Sequence, residues 1–492
     1  MPVPQTRFLT AIGILFAGIL LPSVIGFDGA WAKVDFRGRA SQTARYFLED
    51  QRLRHQITEV SLRQVADIRE GMTTVVEGRF LYDSALFPTP SIQFRHYSKE
   101  VRNDEGFEAE ARQIYVDWLS EKWAIKVGRI QFDWMDSLSP RTSDAVTALD
   151  LRHGGFDNPS QIIEPVEAIS ANTSVGFGSA EFMIVPRGKH HRLPKGENGY
   201  GYVERVNGLL GGVQQALVAS GVRRVINPAL ISRQIPIDTT HAEYGGRYLM
   251  SASGIDFSAF AWRGHQRTPS LELTFDEAEG SSFDTEIWDL KATEKYPQMS
   301  SYGVFASLGG EASVFRLFSL YEPGRTPSVL LQDELAKYLS PALGNSPSFL
   351  GDRVYRSGSI EDRLRGGLGF DYVFSKHLKI YSEGYVTVSQ VKGRTPAGDS
   401  VEETLRDHTA TMRLTNESFD DLFISCDTTI TGPKRSWLIS PDVTFEWRDK
   451  QPSANTWKLS VGGWLVQSES EQSALQILRG ARQVYMRLGA WF

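Results

Sequence analysis

The stretch that decides the fold is the last one: Gln483-Val484-Tyr485-Met486-Arg487-Leu488-Gly489-Ala490-Trp491-Phe492. Counting back from Phe492, Ala490, Leu488, Met486 and Val484 form one apolar set. Trp491, Gly489, Arg487, Tyr485 and Gln483 form the other, mostly polar. Alternation with a period of two marks a strand with unlike faces. A strand with one face in hydrocarbon and the other in water needs this pattern. A soluble antiparallel strand alternates in the same way, but has no reason to end the chain on an aromatic residue.

The pattern recurs upstream. Trp437, Ile439, Val443, Phe445 and Trp447 alternate with Ser440, Asp442, Thr444, Glu446 and Arg448. Trp at both ends of an aliphatic set reads as two interfacial girdles. Trp457, Leu459, Val461 and Leu465 alternate with Lys458, Ser460 and Gly462. Leu364, Leu368, Phe370 and Tyr372 alternate with Arg363, Arg365, Gly367 and Asp371; Phe257, Ala259 and Ala261 do so with Asp256, Ser258 and Phe260. Short turns fall at 120–122 and near Asn172, Ser253, Gly309, Ser375 and Ser418. The stretches 134–160, 187–240, 264–296 and 322–360 are long and without alternation. Strands are expected near 34–47, 57–70, 73–83, 107–119, 123–133, 161–171, 174–186, 241–252, 254–263, 297–307, 311–321, 361–374, 378–390, 405–416, 419–430, 437–448, 456–467 and 481–492. That makes about 18 strands, or about 16 if the two weakest, first in the chain, do not form. The expected fold is all-β: a transmembrane antiparallel up-and-down β-barrel with long extracellular loops, short periplasmic turns and both ends on the short-turn side. In the longest loop, Leu209, Leu210, Val213, Ala216, Leu217 and Val222 fall near helical spacing. A short amphipathic helix over 209–225, in the barrel mouth or on its rim, is expected.

The other terminus sets the compartment. Arg7 gives a short positive region, residues 8–21 an apolar run, and Ala30-Trp31-Ala32 a small-x-small site. These are the three parts of a secretory signal. Residues 1–32 are therefore expected to be a removed signal peptide, and residues 33–492 a single outer-membrane barrel domain. The run falls short of the about 20 apolar residues of a spanning helix, and nothing after Lys33 approaches that length. A membrane-embedded mature chain must then be a closed barrel, because only helices and barrels satisfy their backbone groups in lipid. A mean hydropathy of −0.28 suits one, since half of each strand would face a wet lumen. The single cysteine, Cys426, excludes an internal disulfide framework. A net charge of −6 without polybasic character leaves nucleic acid out of the expected partners.

Three internal motifs carry a family resemblance. Gln113-Ile114-Tyr115-Val116-Asp117-Trp118 leads through a tight turn into Trp123-Ala124-Ile125-Lys126-Val127-Gly128-Arg129 and on through Ile130-Gln131-Phe132-Asp133-Trp134. Glu243-Tyr244-Gly245-Gly246-Arg247 and Gly367-Leu368-Gly369-Phe370-Asp371-Tyr372 are the other two. Together with the closing strand they resemble alginate-export-type porins and a related uncharacterised family of exporter-associated outer-membrane barrels. The resemblance implies one large barrel, a passive channel, and an exporter as a partner. The closing strand, with Val484, Met486, Leu488 and the terminal Phe492, also resembles the signal read by the outer-membrane barrel-assembly machinery. The chain departs from the second family where Trp134 is followed by Met135 rather than Gly, and where Leu149-Asp150-Leu151 lacks an Asn-Pro. Loop functions are therefore not carried over.

A channel acts through the side chains that line its lumen. By parity the inward set includes Arg63, Arg69, Arg79, Lys126, Arg247, Arg365, Lys379, Arg413, Lys458 and Arg487. It also includes Asp67, Glu77, Asp117, Glu181, Glu243, Asp256, Asp371, Glu383, Asp427 and Glu446. Arg79, Lys126, Arg247, Arg365, Arg413, Arg487, Glu243, Asp371 and Glu383 are the leading candidates. Both signs in similar number argue against a polyanion such as alginate, and cross-strand pairing competes with solute contact at each position.

Enzyme chemistry finds little footing. His190-His191 lies in the basic stretch 187–192, which reads as a solvated loop without carboxylate or Cys at ligand spacing. Asp133, Asp136, Asp144, Asp150 and Asp157 make an acidic loop that matches no calcium-loop spacing. His241, His377 and His408 suggest no Ser-His pairing, and Gly208 to Gly212 lacks a phosphate-loop lysine. No catalytic residue, metal or cofactor is expected. The chain reads as a porin-like channel for passive passage of a small or oligomeric solute through a mixed-charge lumen. The alternative is an accessory barrel partnering an exporter or another envelope complex. Outer-membrane lipids and the assembly machinery complete the expected partners.

Overall fold

The computed structural model describes residues 34–49, 51–84, 106–132, 134, 146–152, 162–192, 209–213, 215, 225–234, 242–277, 288–331, 348–349, 352–375, 377–419, 421–432, 436–448, 456–467 and 482–492. The proposed signal peptide lies outside them, as do Asp133, Asp136, Asp144, Asp157 and His241.

In chain order the strands are β1 (Val34–Phe47), β2 (Arg52–Arg69), β3 (Met72–Asp83), β4 (Phe107–Leu119), β5 (Trp123–Ile130), β6 (Val166–Val175), β7 (Gly178–Val185), β8 (Val225–Gln234), β9 (Glu243–Ala252), β10 (Ile255–His265), β11 (Ser270–Glu277) and β12 (Trp288–Lys295). They continue with β13 (Gln298–Gly309), β14 (Ser313–Arg325), β15 (Val329–Leu331), β16 (Ser348–Phe349), β17 (Asp352–Arg356), β18 (Ile360–Val373), β19 (Leu378–Arg394), β20 (Ser400–Phe419), β21 (Leu422–Thr431), β22 (Ser436–Arg448), β23 (Thr456–Gln467) and β24 (Gln483–Trp491). Eighteen of them form one sheet. Each pairs antiparallel with the next, and β24 returns to β1 with Trp491 opposite Arg39 and Gln483 opposite Phe47. The sheet is thus a closed barrel, and the eighteen alternating strands read from the sequence are the eighteen of its wall.

Alternation places the apolar rows outward. Val127, Ile169, Phe182, Phe315, Leu317, Leu368, Met412, Val461, Met486 and Leu488 are all exposed, Leu368 to 66%. Trp118, Trp123, Phe177, Phe374 and Trp457 gather beside the short turns, where Trp447 stacks on Trp457 at 6.5 Å. No helix among the described residues is long and apolar enough to cross a membrane. A closed wall has no unpaired edge, and its apolar exterior belongs in hydrocarbon; the chain is an outer-membrane-type β-barrel. One of its two-residue hairpins shows the turn chemistry. Ala252 pairs with Ile255 across Ser253 and Gly254, which both have positive φ, 53° and 79°. A two-residue type I′ turn, whose twist matches that of the strands, needs that conformation at both positions.

The long connections differ from the sequence expectation. The stretches 187–240, 264–296 and 322–360, expected as strand-free, contribute a second sheet in the order β16-β17-β15-β11-β12-β8. Its β11–β15, β15–β17 and β12–β8 pairings are parallel. Leu271, Leu273, Ala292, Val329, Leu331 and Val354 are buried in it. Against the expectation of no alternation, β11 and β12 do alternate, Leu271, Leu273 and Phe275 against Glu272, Thr274 and Asp276, and Trp288, Leu290 and Ala292 against Asp289, Lys291 and Thr293. Leu330 and Tyr355 pack on Val391, Val401 and Leu405 of the extended β19–β20 hairpin, and Tyr355 Oη donates to Glu403 Oε2 at 3.0 Å. The expected 209–225 helix is described only at 209–213 and 215, with Leu209, Leu210 and Val213 buried, and Val225 instead opens β8.

The barrel also has an apolar filling. Ile130, Val166, Ala168, Met183, Val185, Phe260, Trp262, Met299, Phe318 and Leu320 turn inward and pack with Trp134 and Val146. These apolar residues fill the loop-side part of the inner face, while Ser170, Glu181 and Ser258 on the same strands are buried polar residues nearer the short turns.

Candidate functional site

The site begins with a local irregularity in β4. Glu77 of β3 pairs with Gln113 and Gly78 with Ala111, so Arg112 is an extra residue in the ladder. A bulge of one residue reverses the side-chain parity beyond it. Glu108, Glu110 and Arg112 on one side of the bulge therefore turn to the same inner face as Gln113, Tyr115 and Asp117 on the other. Simple alternation read from Trp118 misses the first three.

Against this face lie segments of the first two long loops. Leu149 bridges to Ile163 and Asp150 to Arg192. Asp150 N–H donates to Ile162 O at 2.6 Å, Glu164 N–H to Ala148 O at 2.8 Å, and Leu151 N–H to Arg192 O at 2.9 Å. Leu149, Ile162, Ile163 and Leu151 form its small apolar core. Wall and segment are joined by ions. Arg79 reaches Glu108 at 2.9 Å and Asp150 at 3.4 Å. Arg152 reaches Asp150 at 2.6 Å and Glu108 at 2.8 Å, and Arg192 reaches Glu108 at 2.6 Å. The Arg112 guanidinium donates to Ile163 O. Basic residues 187–192, expected to be solvated, are in part the inner lining of this plug.

A second set fastens the same segment to β9. The Arg267 guanidinium lies 2.9 and 2.7 Å from the two Glu243 oxygens, and donates to Lys189 O at 2.5 Å and Val146 O at 2.6 Å. Glu243 is fully buried and also accepts from His265 N–H at 2.9 Å. One guanidinium thus ties a wall carboxylate to both loop strands. His191 N–H donates to Arg267 O, and His191 Nδ1 accepts from Leu149 N–H at 3.0 Å.

An acceptor Nδ1 requires a ring without a proton there. Burial, with Arg267 and His190 adding to it, pushes His191 down to about 3. Burial pushes Asp150 up, but the guanidiniums of Arg152, Arg192 and Arg79 outweigh it and hold the carboxyl well below its usual range. Glu164 is pushed up by burial and by Asp150 and Glu110. The docked segment excludes a proton on His191 that the released, solvated imidazole takes up. His191 docking is therefore complete above pH 6.5 and weakens toward about 3. By pH 5 the loss is about 2 kcal/mol. Current through the barrel is expected to rise between pH 7.5 and pH 5, and His191→Asn, whose side-chain oxygen can accept from Leu149, should flatten that rise. A variant titrating like the parent would show that a group other than His191 sets the response; Glu164 is not that group, because its raised pKa favours docking as the pH falls.

The remaining candidates divide by position. Arg79 and Glu243 belong to the plug attachment. Arg247 holds Glu181 at 2.8 Å and lies 5.5 Å from the Trp134 ring centre. Asp371 pairs with Arg316, a partner that parity reading left out. Lys126 faces Asp117 at 3.6 Å, and Arg413 grips Asp427 at 2.6 and 2.8 Å. Arg365 donates to Thr387 and lies over Tyr385, and Arg487 donates to Thr43 Oγ1 at 3.1 Å. Glu383 is buried on the inner face of β19 opposite Gly369. The pairs differ in wetness: Arg413 and Asp427 keep 42% and 33% of their side chains exposed, whereas Arg152 and Asp150 keep 4% each. Among the described residues no group of His, Cys, Asp and Glu is placed to hold a metal.

No family model matches the sequence, and no curated protein matches it. Solved structures do. OccAB1 of Acinetobacter baumannii is 7% identical over 94% of this chain and 96% of that one, with a TM-score of 0.49. The outer membrane protein OpdK of Pseudomonas aeruginosa is 7% identical over 94% and 98%, with a TM-score of 0.47. OmpF of Salmonella typhi, solved with daunomycin, is 10% identical over 94% and 98%, with a TM-score of 0.40. The chain is similar to these barrels across nearly its whole length, at a distance where its own strand order and register carry the reading of its fold.

Proposed function

We propose that the chain is an outer-membrane channel with an eccentric path. The inward-folded segment narrows the β3–β10 side, and solute passes along the inner face of β20–β23. The difference in wetness between the Arg413–Asp427 pair and the plug pairs carries this reading. The path then presents both signs, with Lys458 on Glu446 at 2.6 Å as its next pair. A mixed-charge path favours small solutes over a polyanion.

Planar-bilayer recording on the purified, full-length barrel tests it. Steady current is expected. Asp427→Asn should shift the cation-to-anion permeability ratio toward anions and Arg413→Ala toward cations, each roughly twofold. No current at any voltage from a correctly assembled barrel would sink the channel reading and leave the exporter-partner barrel in its place.

A further inference from the structure

A second cavity lies on the periplasmic side of the plug, and its chemistry differs from that of the ionic path. It has a volume of about 610 Å³ and is lined by Trp134, Arg247, Leu249, Asp256, Ser258 and Phe305 among others. Its wall comes from the short-turn halves of β7, β9, β10 and β13. Ser258 pairs with Leu249 on one side and Phe305 on the other, so all three share the inner face. Trp134, the last residue of the long motif that begins at Gln113, closes it from above. The indole is wedged between Phe260 at 5.7 Å and Trp262 at 5.6 Å, with the Arg247 guanidinium against its ring. A volume of this size is that of small-molecule sites.

Two polar atoms in this lining have no partner among the described residues: Trp134 Nε1 and Ser258 Oγ. Both residues are more than nine-tenths buried. Buried polar atoms are nearly always satisfied, and each exception asks for an explanation. The indole supplies a donor, and the hydroxyl a donor or an acceptor. The charges here are already balanced in the wall's disfavour of anions. Arg247 is engaged by Glu181 through two hydrogen bonds, at 3.2 and 2.8 Å. Asp256 adds a further carboxylate, near Ser307 Oγ at 3.4 Å. Among the residues of this lining the one cation, Arg247, is already engaged by Glu181 behind it, and the one carboxylate, Asp256, repels an anionic solute. A neutral solute with a flat apolar ring and one hydroxyl matches what is offered: ring surface from Trp134 and Phe305, hydrogen bonding from Nε1 and Oγ.

We propose that this cavity is a binding site for an uncharged aromatic alcohol or phenol, held beneath the plug on its way through the barrel. The proposal rests on the channel reading for its purpose, but not for its geometry. The probe is benzyl alcohol, with benzoate as the anionic counterpart and cyclohexylmethanol as the counterpart without a flat ring. Binding is measured by calorimetry on the full-length barrel in detergent, against Trp134→Phe and Ser258→Ala barrels to remove micelle partitioning. Benzyl alcohol is expected to bind the parent about tenfold more tightly than either counterpart. Each variant should lose roughly three- to tenfold in affinity, the loss of one hydrogen bond. Trp134→Phe keeps a ring in the packed position, and Ser258→Ala changes a single atom, so both are expected to fold. Equal affinity in parent and both variants, or benzoate binding as well as benzyl alcohol, overturns the site. Binding without bilayer current would uphold the cavity and sink the channel; current without binding would do the reverse.

Discussion

Arg267→Ala is expected to raise single-channel conductance severalfold and to open residues 187–192 to trypsin, while the barrel stays folded. The argument starts from Glu243, which is fully buried and has its two oxygens held by Arg267 at 2.9 and 2.7 Å. Removing one partner of such a pair leaves a desolvated charge and costs about 3–5 kcal/mol. The same substitution deletes the donors to Lys189 O and Val146 O, the two points at which this guanidinium holds the loop strands. At about 1.4 kcal/mol per tenfold, the docking equilibrium moves by a hundredfold or more. The wall itself has little to lose, because Glu243 still pairs through its backbone with Val185 of β7. Lysine at 267 keeps the charge but not the planar fork that spans four acceptors, so Arg267→Lys should fall between parent and alanine. Glu243→Gln, which removes the wall anchor but leaves the guanidinium free to hold the loop carbonyls, should be milder than Arg267→Ala. Unchanged conductance and unchanged trypsin resistance in an assembled Arg267→Ala barrel would mean that the segment is not a movable plug.

The wall was legible in the sequence because lipid enforces a strict rule. Leu364, Leu368 and Met486 must be apolar where they stand, and a period of two follows from the pleat. The plug was not legible, for three physical reasons. The bulge at Arg112 hides Glu108 and Glu110 from any count by parity. The ion pairs join residues far apart in the chain, such as Arg192 and Glu108, and no local spacing encodes them. The composition of a loop is ambiguous: a run of Arg, Lys and His reads as solvated until carboxylates are placed opposite. Asp150 shows the same failure from the other side. In the sequence it belongs to an acidic loop, yet three guanidiniums surround it. The inward aromatic Phe260 was the visible clue that had no polar explanation, since it stands in the row where Asp256 and Ser258 face the lumen. In the cap sheet β15 and β16 are too short to carry a period, whereas β11 alternates as a wall strand does, Leu271, Leu273 and Phe275 against Glu272, Thr274 and Asp276, so it is its parallel partner β15 and not its pattern that sets it apart.

Deleting Phe492 is expected to lower the amount of assembled barrel at the cell surface about tenfold or more, without changing the conductance of what does assemble. Closure depends on β24 finding β1, and the register places the last residue beyond Trp491–Arg39, where Gly38 N–H donates to Phe492 O at 2.7 Å and Phe492 N–H to Gly38 O at 3.0 Å. The ring lies over Gly38, and a β-carbon at 38 would collide with it. Two hydrogen bonds at about 1 kcal/mol each and a half-covered ring at about 1 kcal/mol amount to roughly 3 kcal/mol at the seam. Gly38→Val tests the same contact from the partner strand. It keeps the terminal aromatic intact while displacing its ring, so a role for Phe492 in seam packing predicts a shared defect. If instead the aromatic serves only as a signal to the assembly machinery, Gly38→Val should assemble normally and the deletion alone should fail. Normal surface levels for both would leave the terminal residue without a role in closing the barrel.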